Sequence, residues 1–200
     1  MTWVVIAIAS YIVFYTAINV GFRRDERPHE PAAEARERKR HFIQASMNGW
    51  TRYAVHLSTP TNATEIARAA TIAREPAPAD LARAVPLDLT LIFPGKPSMH
   101  PAPASLVAAA TVPTNAELRV QLNFDPLAHP VAFGESLAYA KDNHLRIFVQ
   151  DEARTALDET PLPAAPLVEL ALPPAVLAAG EWQATLYTKD AIFNWTFVVQ

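Results

Sequence analysis

The chain has 200 residues, 50% of them apolar and 18% charged, with 18 prolines, 5 glycines and no cysteine. The charged share lies below the roughly 25% of soluble domains, so part of the chain avoids water; the missing cysteine excludes disulfides, thiol nucleophiles and thiolate metal sites. Scarce glycine argues against phosphate-cradling loops, and a net charge of −3 lacks the basic field that nucleic-acid binding needs.

Trp3 to Phe22 (WVVIAIASYIVFYTAINVGF) contains no charge. About 20 helical residues cross a ~30 Å hydrocarbon layer, and this run is apolar around its whole circumference, leaving no solvated face. A cleaved signal peptide would want a basic start and a small-x-small site. Met1-Thr2 carries no side-chain charge and Gly21-Phe22-Arg23 is unsuited to cleavage, so a retained single-pass helix is expected. Trp3 and Phe22 then sit at the two membrane interfaces, with Arg23 and Arg24 just outside. Ser10, Thr16 and Asn19 either face a neighbouring helix or bond back to their own.

Residues 23–40 hold seven cations (Arg23, Arg24, Arg27, Arg36, Arg38, Lys39, Arg40) among five acids. Counted by the positive-inside rule, they keep everything after the helix cytoplasmic, whereas the type of the following domain leans periplasmic. Both place the chain in a cell inner membrane. Residues 23–49 read as a juxtamembrane helix or stalk. Pro31–Ser46 opens on proline and closes near Asn48-Gly49, with Glu34 and Glu37 spaced to pair with Arg38, Arg40 and His41. A solvated stalk is the simpler reading; a headgroup-level helix with Phe42 and Ile43 dipping inward is the other. The remaining 41–200 have ten basic and 15 acidic residues, an acidic domain behind a basic collar.

Residues 50–85 form an expected connector. WTRYAVHL at 50–57 suggests a strand. Asn62 and Glu65 have the spacing of a helix cap with its reciprocal acid, so the following IARAATIAR reads as a helix ended by Glu75-Pro76. Eight prolines then fall between 76 and 113, which forbids long helices and central strands. This stretch is expected to lie extended over another surface, with Leu87–Phe93 (LDLTLIF) as a strand within it.

From there the pattern is all-β. Glu117–Phe124 alternates with Leu118, Val120, Leu122 and Phe124 on one face. Leu145–Gln150 follows a turn at Lys141-Asp142-Asn143, and Leu167–Leu172 is bracketed by prolines. Glu181–Thr188 and Ile192–Val199 form a hairpin across Lys189-Asp190-Ala191. With Leu106–Val112, about seven strands at this spacing predict an immunoglobulin-like β-sandwich over 86–200. The expected chain is mainly β: a transmembrane helix, short juxtamembrane helices and this sandwich.

Six histidines (His29, His41, His56, His100, His129, His144) show no metal-ligand spacing. Met99-His100 is the one soft-donor pair, and with His129 it makes a copper site if the two loops meet; packing of Met99 and simple exposure of His100 is the plainer reading. No metal or cofactor is expected. Asp151-Glu152 and Asp158-Glu159 flank one turn, where acids commonly only solvate a loop, and neighbours on a strand point to opposite faces. Ser136 lacks a nucleophile elbow, and Gly95-Lys96 lacks the rest of a phosphate loop. Asn62-Ala-Thr and Asn194-Trp-Thr match the glycosylation triplet, but Asn194 falls inside a strand. The pattern offers no catalytic constellation, and the chain reads as a non-enzyme.

Trp182, Phe193, Trp195 and Phe197 concentrate aromatics in the last hairpin. The run Leu177-Ala-Ala-Gly-Glu-Trp-Gln-Ala-Thr-Leu-Tyr, a turn, and Asn-Trp-Thr-Phe-Val-Val resembles the closing hairpin of exported immunoglobulin-like domains. Joined to one N-terminal membrane helix, it is similar in outline to the FixH/CcoH family of oxidase accessory subunits, over the helix and the final 60 residues. The shared motif is Gly180-x-Trp182. That family is shorter and carries a basic tail before its helix, and residues 50–115 have no counterpart in it. The resemblance implies a non-catalytic role in assembling or stabilising a respiratory complex, with the sandwich outside the cytoplasm; the chain as a whole reads as an accessory subunit of a larger membrane complex, respiratory or photosynthetic. Its partners would be the lipid bilayer and other subunits of that complex.

Overall fold

A computed structural model describes residues 42–63, 65–66, 68–90, 99–125, 133–151, 166–174 and 176–200. The expected span 3–22 and most of the collar lie outside these residues. No helix among the described residues is long and apolar enough to cross a membrane. The chain is mainly β, with one sheet of seven strands and one of four.

Residues 42–47 form a short helix, α1, closed by Gly49 at φ +85°, a left-handed conformation that glycine adopts without Cβ strain. The predicted strand at 50–57 is two strands, β1 (Thr51–Ala54) and β2 (His56–Ser58). β1 pairs in the large sheet and β2 in the small one, so the chain changes sheets at Val55. Where a capped helix was expected, Ile72–Pro76 is instead an edge strand, β3, antiparallel to the last strand of the chain. The run 66–74 is alanine-rich and favours a helix, but a short helix is marginal on its own, and pairing along a long strand wins. Pro76 closes β3 at the sheet edge, where proline's missing N–H is tolerated.

Leu87–Thr90 is a helical turn, α2, rather than the expected strand. The Pro86 carbonyl accepts from the amides of Leu89 and Thr90 at 2.8 and 3.0 Å, and proline's fixed φ suits a helix start. The predicted strand 106–112 is again two: β4 (Ser105–Ala108) in the small sheet and β5 (Thr111–Val112) in the large one. β6 (Leu118–Asn123) and β9 (Leu167–Leu172) fall where alternation placed them. β7 (Phe133–Lys141) was not expected; it joins β8 (His144–Asp151) through Asp142 and Asn143 at φ 48° and 61°, a tight turn needing positive φ at both centres. β10 (Gly180–Tyr187) and β11 (Ala191–Val199) complete the predicted hairpin.

The small sheet runs β2-β9-β6-β4, antiparallel throughout. The large sheet runs β1-β7-β8-β10-β11, and β3 and β5 share the outer side of β11. The β8–β10 and β5–β11 pairs are parallel. Strands β1, β2 and β3 belong to these sheets, so residues 50–76 are part of the body rather than a connector before residue 86.

The sheets meet across one apolar core. Leu118, Val120, Leu122, Val168, Leu170 and Leu172 face Ile147, Leu186, Phe193, Trp195 and Phe197, giving a sandwich-like arrangement. A second cluster covers part of the outer face of the large sheet. Leu137, Tyr139, Phe148, Tyr187 and Ile192 lie there beneath Ala45, Trp50, Val85, Leu89 and Met99. Residues 81–90 and Met99 of the proline-rich stretch thus lie over a surface of their own domain. The Trp50 indole N–H donates to Asp88 Oδ2 at 2.6 Å, and Lys141 Nζ stands 3.5 Å from the same oxygen. That triad ties the covering layer to β7.

Candidate functional site

The covering layer leaves part of the outer sheet face open, at Gln183, Thr196 and Val198, and strand register decides what stands around them. Side chains on one face recur every second residue. Partners in register form the row Arg52, Tyr139, Arg146, Thr185 and Asn194, crossing β1, β7, β8, β10 and β11. One step further towards the β7–β8 turn stand Lys141, His144, Gln183 and Thr196. Gln183 and Thr196 are exposed, while Arg146 and Asn194 are half-buried.

The first row is wired by hydrogen bonds. An Arg146 guanidinium N–H donates to the Thr185 hydroxyl, which in turn donates to Asn194 Oδ1 at 2.9 Å. With its oxygen engaged, Asn194 has its amide N–H groups left as donors. Arg146 Nε is buried with no hydrogen-bond partner among the described residues. Burial pushes the Tyr187 phenol above its ordinary value, and the nearby Arg146 charge pulls the other way. The Tyr187 hydroxyl donates to the Ala84 carbonyl at 3.3 Å. Within this row Tyr139 and Thr185 are buried, and the half-buried Arg146 and Asn194 are the N–H donors beside the open part of the face, suited to carbonyl or carboxylate groups of a partner. The row contains no nucleophile with an adjoining base.

Met99 and His100 are both buried but separate to opposite sides of their extended segment. Met99 packs in the outer cluster. The His100 ring stacks on Phe133 at 3.9 Å between centroids and meets the edge of Phe124 at 5.0 Å; its Nδ1–H donates to the Pro101 carbonyl at 3.0 Å. The expected exposed loop histidine is therefore a buried packing residue, because Phe124 and Phe133 give its ring an aromatic slot. His129 lies outside the described residues, as do Trp3, Phe22, Arg23, Arg24, Ser10, Thr16 and Asn19. No group of three or more His, Asp or Glu side chains among the described residues is placed to hold a metal.

Trp182, Phe193, Trp195 and Phe197 are core residues. The Gly180-x-Trp182 motif has a local reason. Gly180 sits at φ +140°, and the Trp182 indole N–H donates back to the Ala178 carbonyl at 2.8 Å. Ser136 is buried in β7 with its hydroxyl unpartnered among the described residues. The sequence reading missed Arg146, Thr185 and Asn194 as a set. Their phase opposite to Ile147, Leu186 and Phe193 was visible, but the register that aligns them was not.

No protein-family model, curated protein or solved structure matches this chain.

Proposed function

We propose that this protein is a non-catalytic, single-pass accessory subunit that stabilises or assembles a larger membrane bioenergetic complex, respiratory or photosynthetic. The observation that carries the reading is the uncharged run from Trp3 to Phe22, long enough to span a bilayer, on a chain whose β domain keeps part of a sheet face uncovered. The donor row from Arg146 to Asn194, with exposed Gln183 and Thr196 beside it, offers that domain a surface for a neighbouring subunit. Side chains held by their own hydrogen bonds lose less entropy on docking. The finer fold reading is an immunoglobulin-like sandwich, supported by the two facing sheets. The parallel β8–β10 pair departs from the all-antiparallel pattern of that fold.

The alternative, a membrane-tethered metal or ligand binder built on Met99, His100 and His129, is disfavoured by the divergence of the first two side chains. The test is purification of the tagged full chain in mild detergent, with mass spectrometry of what accompanies it. The chain should co-purify with subunits of one complex, and Gln183→Glu with Thr196→Glu should weaken that association without changing the melting temperature. Recovery of the chain always alone and monodisperse would overturn the reading.

A further inference from the structure

Of the four large apolar residues that the described part of the β domain leaves exposed, Val198 stands on β11 and the other three lie in the covering layer. Ile43 and Met47 are 51% and 81% exposed, and Leu87 is 82% exposed. Ile43 and Met47 stand four residues apart on α1, hence on one helix face. The opposite side of α1 is accounted for, with Ala45 in the outer cluster and Phe42 packed against it. Leu87 belongs to α2 in the same covering layer, and its neighbour Asp88 is bonded to Trp50 just after α1. Three large apolar side chains on one layer exceed what packing of the domain requires.

We infer that this covering layer is a lipid-facing surface, with Ile43, Met47 and Leu87 entering the headgroup–acyl boundary of the bilayer that holds the chain's own membrane helix. Sequence continuity and charge select lipid as the occupant. Arg36, Arg38, Lys39 and Arg40 stand immediately before α1 with one acid, Glu37, among them, and Arg52 lies over the Phe42 ring at 4.2 Å. Cations beside an exposed apolar helix face are the pattern of helices lying in a membrane interface, the cations on anionic headgroups and the apolar side chains below them. The uncharged run ends at Phe22, 20 residues before Phe42 in the sequence. The inference rests on the proposed membrane subunit and adds the side by which its domain meets lipid.

The absence of cysteine allows clean single-site labelling. Met47→Cys, Leu87→Cys and, as a reference in the exposed turn before β6, Asn115→Cys would each carry an environment-sensitive fluorophore on the full chain. The probes are protein-free vesicles of phosphatidylcholine and phosphatidylglycerol containing lipids spin-labelled near the headgroup. Labels at 47 and 87 should shift to the blue and be quenched, and the label at 115 should do neither. Position 87 is the decisive one, since it lies far along the chain from the membrane run. If the chain inserts but labels at 47 and 87 stay as aqueous as the label at 115, the inference fails and the subunit reading stands. If the chain does not associate with vesicles, both fail. If the two labels are shielded only in native membranes and not in protein-free vesicles, the occupant is a protein and the lipid assignment is overturned.

Discussion

Leu89 and Leu87 share one helical turn and one side-chain chemistry, yet Leu89 has no exposed surface while Leu87 is 82% exposed. Leu89→Ala leaves only a methyl group facing Val85, Tyr187 and their neighbours in the outer cluster. Burial of a leucine contributes about 1.5–3 kcal/mol, and the cavity left behind raises typical Leu→Ala costs to about 2.7–5 kcal/mol. Alanine's better helix propensity returns only a few tenths of a kcal/mol. A short turn at the edge of the fold can partly collapse, so we expect about 3 kcal/mol. For a body of this size about 2–4 °C accompanies each kcal/mol, which gives a melting temperature roughly 6–12 °C lower. Leu87→Ala should stay within about 0.5 kcal/mol of the parent. Thermal unfolding of the full chain in mild detergent, followed by near-ultraviolet circular dichroism, measures both. Equal melting of the two variants, or a Leu89→Ala shift below about 2 °C, would refute the claim that residues 81–90 form a structural layer.

Trp50→Phe keeps the ring but removes the donor to Asp88, and a hydrogen bond to a charged group contributes about 1.5–3 kcal/mol; a cycle with Asp88→Asn should show coupling in thermal melts. Asn143→Ala places a Cβ-bearing residue without a polar side chain at φ 61° and loses the bond to the Glu181 carbonyl, costing about 1–2 kcal/mol, while Asn143→Gly should recover part of that in the same assay. Because burial raises the Tyr187 phenol above 10.0, its contribution is whole below pH about 10 and fades as pH climbs through the folded value. Tyr187→Phe should therefore flatten the alkaline fall of the melting temperature relative to the parent. Copper or zinc should leave the melting temperature unchanged; a stoichiometric rise abolished by His100→Ala would restore the metal-binding reading.

A strand with one covered face shows alternation, whereas strands covered on both faces were legible only where an aliphatic run marked them, as in β8 and β9. β6 alternates because Leu118, Val120 and Leu122 meet the core while Arg119 meets water. β7 hid because both its faces are covered: Ala138 and Ala140 point between the sheets, and Leu137 and Tyr139 point under the outer layer. A bulge between Phe133 and Ser136 breaks its phase again. Residues 66–74 misled through alanine, whose helix preference yielded at 72–76 to pairing with β11. LDLTLIF misled through its alternation, which Pro86 overrides at its start. The donor row was unreadable for a different reason. Arg146, Thr185 and Asn194 align only once a parallel pair and a hairpin have set the register of three strands.

The place of the last hairpin sets a timetable for synthesis. β10 and β11 are the last of the described strands to be made, yet they bind β8, β3 and β5. At roughly 5–20 residues per second, β3 leaves the ribosome's catalytic centre about 6–23 s before β11 does. For that interval β3 has no partner, and its own composition protects it. Arg74 and Glu75 charge the waiting edge and Pro76 blunts it, which discourages pairing with the wrong chain. The large sheet therefore closes late, and a ribosome stalled before residue 191 would hold a chain in which β3, β5 and β10 all lack the strand they were made to meet.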